Sequence, residues 1–435
     1  MIRTSHARPR ARATAHPQPT NYDTLVRQAD TLRRMGNYDA AVKAFHGITV
    51  QYPHRSDAFS NFAGMLQAAG HPGVALHAAT RAIELDPTSV PALINSAEIM
   101  KDFGEWDIVR ETYDAALALQ PDNPALRYAR ALHLLTLGQC AEGWREHEQR
   151  LLVPDLPLGT SRLTTPVWDG TALDGQRILI DHEQGLGDQL MFARFVGDVA
   201  ARCGQVILRC GAPLVPLFKA LRGVTKVIAD GDMIPAHDVR ASLMSLPFLL
   251  GLDDPDDVRT APYLAPVGVC PDVIRTSFVP GRTHVGIVWS GNPQHRNDAR
   301  RSIPPRYIKA LLGSADVDYV SLQRHDGATD FPEPLRYGVR DLGGALQTFN
   351  DTAHALKQLD LLVTVDTAVA HLAGGLGVPT LVLVPFVPDW RWMVNRDDTP
   401  WYRSVTLMRQ ESLFEWAPVI SRVRAHVTAL AAART

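Results

Sequence analysis

Ala97-Glu-Ile-Met-Lys-Asp-Phe-Gly104-Glu-Trp106-Asp-Ile-Val-Arg-Glu-Thr-Tyr113-Asp-Ala-Ala-Leu-Ala-Leu-Gln-Pro121 carries the pattern that organises the first third of the chain. Its glycine recurs at a fixed interval of 34 residues, as Gly36, Gly70, Gly104 and Gly138. The proline recurs in the same phase as Pro53, Pro87 and Pro121, and the alanine as Ala29, Ala63, Ala97 and Ala131. Each residue type has a mechanical reason for its place. A small alanine lets two antiparallel helices pack closely, glycine permits the turn between them, and proline stops the second helix. Tyr38, Phe45, Trp106 and Tyr113 take the large-residue positions, where they are expected to wedge between neighbouring helices. Four units follow, over about 22–55, 56–89, 90–123 and 124–152. The fourth departs from the plan: Gly143 replaces an alanine and His147 an aromatic, as expected where a helical stack joins another domain.

This period and choice of residues resemble the tetratricopeptide repeat. The resemblance implies a concave surface for a peptide or protein partner. A stack that only caps or dimerises the rest of the chain is the other reading.

Working outward, 435 residues are too many for one ordinary domain and predict two to four units. Apolar residues make up 46% and charged residues 21%, enough to bury large cores, so wholesale disorder is not expected. Forty-four Lys+Arg against 46 Asp+Glu give a net charge of −2, with no global pull toward nucleic acid or an anionic membrane. Cys140, Cys203, Cys210 and Cys270 are too scattered for a disulfide framework or a structural zinc, and read as buried, reduced thiols of a cytoplasmic protein. No run of 18 apolar residues is present, so no membrane-spanning helix is expected. Residues 1–20 carry Arg3, Arg8, Arg10 and Arg12 without an acid, lack a signal peptide's apolar core, and read as a disordered basic tail.

Beyond the repeats (21–152) lies a Pro-, Gly- and Thr-rich linker over 153–176. Two alternating halves then follow, over 177–275 and 276–435. In the first, Arg177–Asp181 reads as a buried parallel strand, Gly185-Leu-Gly187-Asp188 as its loop, and Gln189–Ala201 as an amphipathic helix. Further strands are expected at Gln205–Arg209 and Lys226–Ala229, and a helix or crevice loop at Ser242–Leu250. In the second half, strands are expected at His284–Ser290, Asp318–Leu322 and Asp360–Val365, with Pro379–Val384 the last. Helices are expected at Tyr307–Leu312, Thr352–Leu359 and Thr367–Gly374. Ser412–Ala433 reads as helices returning toward the first half. The fold class is therefore α plus α/β: a helical solenoid followed by two doubly wound parallel sheets with a crevice between them.

Three constellations can carry chemistry. Gly185 and Gly187 offer close backbone approach and exposed N–H groups at a helix N-terminus, although Leu190 stands where a dinucleotide fingerprint needs its third glycine. Asp188 beside them can take a proton from a hydroxyl, or can simply cap its helix; the residues alone leave both readings open. Ser290, Gly291 and Asn292 form a small-residue turn, and Arg301 can hold a diphosphate bidentately, while Arg296 and Arg300 read as a solvated face. Thr367 and the N–H groups that follow it can receive phosphate oxygens, and Asp366 sugar hydroxyls. His371, one turn further on, either joins them or packs beneath the loop. Trp390, Arg391, Trp392 and Trp401 line the pocket or the core, with core expected for Trp392 and Trp401.

Gly187-Asp188, Gly291…Arg301-Ser-Ile-Pro304 and Asp341-Leu-Gly…Asp366-Thr-Ala-Val-Ala-His371-Leu-Ala…Gly377-Val-Pro379 resemble the heptosyltransferase-type family 9 glycosyltransferases. Glu142-Gly-Trp144, Glu183-Gln-Gly-Leu-Gly-Asp188 and Pro388-Asp-Trp-Arg-Trp392 are similar to bacterial tetratricopeptide proteins fused to such a domain. The resemblance covers about residues 125–412. It implies a GT-B fold and inverting transfer from a nucleotide diphosphate sugar, without metal or other cofactor. It implies Asp188 as general base, Arg301 where the family commonly has Lys on the phosphates, and Asp366, Thr367 and His371 as the donor motif. The implied acceptor is a protein or glycan recruited by the repeats. The first half is short for a heptosyltransferase, so heptose and lipopolysaccharide specificity do not carry over. Two other readings stand beside it. One is a non-catalytic interaction scaffold that retains the fold. The other is an O-GlcNAc-type protein transferase, which predicts a different donor motif.

Overall fold

The computed structural model describes residues 21–154, 156, 163–295, 297–312, 317–324 and 338–433; the basic tail of 1–20 and Arg296 lie outside them. The chain divides into two compact units, one running to Leu119 and one from Gln120. The first unit holds three helical hairpins: α1 (Asn21–Arg34) with α2 (Tyr38–Gln51), α3 (Ser56–Ala68) with α4 (Pro72–Leu85), and α5 (Val90–Lys101) with α6 (Trp106–Leu119). A fourth, α7 (Pro124–Thr136) with α8 (Cys140–His147), opens the second unit.

All four turns close in the same way. Gly36, Gly70, Gly104 and Gly138 have φ of 74°, 84°, 72° and 76°, the left-handed region where a Cβ is penalised. The next residue then donates back to the helix, Asn37 to Leu32, His71 to Leu66, Glu105 to Met100 and Gln139 to Leu134, at 2.9–3.2 Å. This is the Schellman closure. Ala29, Ala63, Ala97 and Ala131 are wholly buried, as the close approach of paired helices requires. Helices α2, α4 and α6 each stop two residues before the periodic proline. Of the large residues, Phe45 and Tyr113 are buried as expected. Tyr38 is 45% exposed and Trp106 only half-buried, because each starts its helix ahead of the packed face.

The first sheet of the second unit is built from β1 (Leu173–Asp181), α9 (Leu186–Phe192), α10 (Val196–Ala200), β2 (Cys203–Cys210), α11 (Val215–Phe218), β3 (Val224–Ala229), β4 (Val239–Ser242) and α12 (Leu246–Leu250). Its strands are parallel in the order β3-β2-β1-β4. The second comprises α13 (Asp272–Arg275), β5 (Thr283–Val288), α14 (Asp298–Arg301), α15 (Pro305–Leu311), β6 (Val317–Ser321), β7 (Arg340–Asp341), α16 (Phe349–Leu356), β8 (Leu361–Val365), α17 (Ala368–Leu376), β9 (Thr380–Val384), β10 (Val405–Arg409) and α18 (Ala417–Ala432). Here the order is β10-β9-β8-β5-β6-β7, again parallel throughout. Strands β5, β8 and β9 are buried at every residue, as parallel strands covered on both faces must be. The chain is thus a set of tetratricopeptide-like hairpins followed by two Rossmann-like α/β lobes.

Four expectations are corrected. The helix foreseen at Gln189–Ala201 begins at Leu186 and is broken by a 3₁₀ turn at Ala193–Phe195. Ser242 ends an unforeseen strand, β4, before the short helix α12. Thr380–Val384 is not the last strand, since β10 pairs with it. Helix α18 does not return to the first sheet: Val419, Ile420, Val423 and Val427 pack with Ile308 and Leu311 of α15 on the second. Among the cysteines, Cys140 and Cys210 are buried but Cys203 and Cys270 only partly so, and all four are free thiols. No described helix is long and apolar enough to cross a membrane.

The fourth hairpin belongs to the core of the second unit. Trp144 packs edge-on against Trp390, Phe192 and Trp401, with ring centroids 5.4, 6.0 and 6.4 Å away. Gly143 has a steric reason, since a Cβ there would lie 2.8 Å from the Leu135 side chain. His147 is fully buried against Tyr128 and Trp144. Trp392 and Trp401 are core residues as expected, and Trp390 and Arg391 are buried with them.

Candidate active site

Chain order reverses once in each sheet. In the first it runs outward from β1 to β3, then returns to place β4 on β1's other side; in the second it runs from β5 to β7, then returns to β8. Crevices open at the carboxyl ends of strands where such reversals occur. The loop after β1 and the first turn of α9 carry Gly185–Asp188, the loop after β5 carries Ser290–Asn292, and the turn after β8 carries Asp366 and Thr367. The sequence-predicted residues therefore flank both reversal points. They also meet: a Cβ on Gly187 would lie 3.3 Å from the His371 ring and 3.4 Å from Ala368 Cα, so the starts of α9 and α17 abut.

On the first-sheet side, the Asp188 carboxylate accepts from Gly185 N at 2.8 Å, capping α9, and its other oxygen is ion-paired with Arg391. The helix-cap reading is seen directly. Gln184, just before, has φ of 60°, an unusual conformation for a residue with a side chain. Its neighbour Glu183 is held in a buried fork by Arg150, at 2.6 and 2.9 Å. Arg150, wholly buried just after α8, also binds Glu148 at 2.6 Å and Ser245 at 2.8 Å. The end of the fourth hairpin thereby anchors the loop that carries Asp188.

On the second-sheet side, Arg301 donates to the Asp366 carbonyl at 3.0 Å and to Asp298 at 3.2 Å. Its guanidinium lies over Gly291, where a Cβ would come 2.5 Å from Nη2, so a side chain there would displace the Arg301 head from the turn. Ser290 N donates to Gln323 at 3.1 Å and Gly291 N to Ser302 at 3.1 Å, which fixes the turn. Asn292 is exposed, accepting from Gln294 N. Thr367 begins α17 but makes no capping bond; its hydroxyl lies 3.4 Å from that of Thr364. Arg301, Gly291, Asp366 and Thr367 are thus brought together. His371 is not among them. It stacks on Trp392 (5.1 Å, 9°) and its Nδ1 lies 3.0 Å from the Tyr402 hydroxyl. Burial, with the Arg391 charge second, brings its pKa down to about 3, so it is a neutral core residue beneath the loop.

Sequence reasoning named Arg391 for the pocket or the core but did not foresee it, with Asp389, as the hub of the site. Arg391 joins Asp188 to Asp389, which accepts at 2.7 Å. Burial works against the Arg391 charge, but the Asp188 and Asp389 carboxylates more than offset it and raise its pKa. Burial would likewise raise Asp389, yet Arg391 holds it below the usual carboxylate range. Asp366 is pushed up to about 6, first by burial and then by the Asp389 charge, with Arg301 acting the other way. The signal available was an Asp and an Arg inside a tryptophan-rich run. A second unforeseen group lies at the carboxyl ends of β1–β3: Arg209 bridges Asp181 and Asp230 at 3.3 and 2.9 Å, and His182 Nε2 lies 2.8 Å from Asp230. Among the described residues no group of three His, Cys, Asp or Glu is set to hold a metal ion.

No protein-family model matches the sequence. Protein FlbA of Caulobacter vibrioides is 24% identical over 454 aligned positions, spanning 93% of this chain and 72% of that protein. A family 9 glycosyl transferase structure from Veillonella parvula is similar over 61% of this chain and 99% of its own, at 10% identity and a TM-score of 0.44. TTC0263, a thermophilic TPR protein in Thermus thermophilus, is similar over 31% of this chain and 74% of its own, at 20% identity and a TM-score of 0.29. The structural neighbours of this chain thus include tetratricopeptide proteins and a family 9 glycosyltransferase.

Proposed function

We propose that the chain is an inverting, metal-independent glycosyltransferase. It moves a sugar from a nucleotide diphosphate sugar to a hydroxyl of a protein or glycan acceptor recruited by the repeats. The observation that carries this reading is the meeting of the two reversal-point loops. Asp188 stands at one, and Arg301, Gly291 and Thr367 at the other.

In this reading the diphosphate lies at the start of α17, where unpaired N–H groups and the helix dipole favour negative charge. Arg301 holds it from the side of β5. The acceptor hydroxyl gives its proton to Asp188 and attacks the anomeric carbon from the face opposite the diphosphate. The bond from that carbon to the diphosphate oxygen breaks, and its electron pair leaves with the nucleotide. Asp366 serves the sugar hydroxyls, and the Asp181, His182, Arg209 and Asp230 group lies on the acceptor side.

Thermal unfolding of the full chain with UDP, GDP, ADP, CDP and dTDP, repeated on Arg301→Ala, tests it. Ligand binding to the folded state raises stability by RT ln(1 + [L]/Kd), so a selective shift lost in the variant is expected. No shift with any diphosphate overturns the reading. It would leave the scaffold alternative, which the prior engagement of Asp188 by Arg391 favours.

A further inference from the structure

Each Asp188 oxygen already has a donor, the Arg391 guanidinium on one and Gly185 N–H on the other, which an incoming acceptor hydroxyl would have to share or displace. Arg391, for its part, is 8% exposed and spends its two terminal nitrogens on Asp188, from the first lobe, and Asp389, from the second. Its fork is backed by the Trp390 ring, 4.3 Å away. Asp366, whose carbonyl accepts from Arg301, adds to the negative field that keeps Arg391 charged.

We propose that Arg391 is a diphosphate-binding residue that exchanges partners: without donor it is paired with Asp188, and with donor it turns one nitrogen to a phosphate oxygen and frees Asp188 to accept the acceptor's proton. The geometry fits this exchange. Each terminal nitrogen of the fork serves a different carboxylate, so the one on Asp188 can pass to a phosphate oxygen, an acceptor of the same charge and reach, while the other stays on Asp389. Asp389 keeps Arg391 in place throughout, because its carboxylate also accepts from Arg391 N at 3.1 Å and is fixed to the same turn. Asp188 keeps its bond to Gly185 N, so α9 does not move. The base is thus masked until the leaving group is seated, which restrains proton transfer in the absence of donor. A ligand shifts such an equilibrium only by its differential affinity, and here the difference is the phosphate charge against the carboxylate it displaces.

This inference rests on the glycosyltransferase reading, and a single titration separates the two. Binding of UDP, GDP, ADP, CDP and dTDP to the full chain is measured by calorimetry for the wild type, Asp188→Asn and Arg391→Lys. Asparagine preserves the cap to Gly185 N and removes the charge that competes for Arg391. The expected result is that Asp188→Asn binds the recognised diphosphate about tenfold more tightly, while losing transfer. Arg391→Lys, which keeps the charge without the fork, is expected to bind it at least about tenfold more weakly. Wild-type binding with unchanged or weaker binding by Asp188→Asn overturns the exchange and leaves the transferase reading standing. No binding by the wild type overturns both.

Discussion

Hairpins α1–α2 and α7–α8 follow the same 34-residue plan, with the same left-handed glycine and the same buried alanine, yet they serve different surroundings. In α2, Val42 is only partly buried and Phe45 is covered by its own hairpin's neighbours. In α8 the corresponding places hold Trp144, buried among Phe192, Trp390 and Trp401, and His147, buried against Tyr128, Trp144 and Trp390. The comparison teaches that a repeat's period specifies its turn and its helix pair, whereas its outward residues specify what it is packed against. The fourth hairpin has the form of a repeat and the role of a strut under the Asp188 loop.

The largest expected effect tests that role directly. Trp144→Ala empties the aromatic cluster and is expected to cost about 3–5 kcal/mol. Hydrogen exchange resolved along the chain should show β1, α9 and the Trp390–Trp401 segment losing protection, with α1–α6 unchanged. Phe45→Ala should give the reverse distribution. Equal loss in both units for either variant would break the distinction.

Two ion pairs, one of comparable size and one much smaller, come next. Arg150→Met leaves Glu183 buried without its charged partner and is expected to cost about 3–5 kcal/mol, with hydrogen exchange rising in the segment that carries Asp188. Arg55 and Asp57, each 48% exposed in side chain, form the contrasting pair of the first unit. Arg55→Ala should cost less than about 1 kcal/mol by denaturant unfolding.

The smallest effect concerns acid. Asp57 is held low by Arg55, so its contribution is present above the ordinary carboxylate pKa and is lost as pH falls through the lowered value. Asp366, pushed up to about 6, has the opposite sign: it favours the folded state below the ordinary carboxylate pKa, and this is lost as pH rises through about 6. Asp366→Asn should therefore raise the unfolding temperature of the second unit by a few degrees at pH 7.5, and the gain should vanish toward pH 4. A pH-independent gain would place the cause in packing instead.

Much of this was legible without coordinates. Gly104, Ala97 and Pro121 announce the hairpins because each answers a local demand, a positive φ, a close approach or a helix stop. The apolar runs at Leu361–Val365 and Thr380–Val384 announce buried strands in the same way. Strands β4 and β10 were not legible, since Val239–Ser242 is only four residues long and Val405–Arg409 alternates at a sheet edge, where an isolated run has little contrast. Arg391 and Asp389 were not legible as a pair with Asp188, because 203 residues separate Arg391 from Asp188 in the chain.

By itself, then, the amino-acid sequence determined the period of the helices, the parallel strands and the residue types of the two glycine-bearing loops. These depend on backbone geometry and burial, which act over a few neighbouring residues. Only the tertiary structure decided that Gly187 would rest on Ala368 and His371, that Arg150 would reach Glu183, and that one guanidinium would join Asp188 to Asp389. Those arrangements depend on which distant segments share a low-dielectric interior. Charge pairing there is set by proximity in space, which the order of residues along the chain does not display.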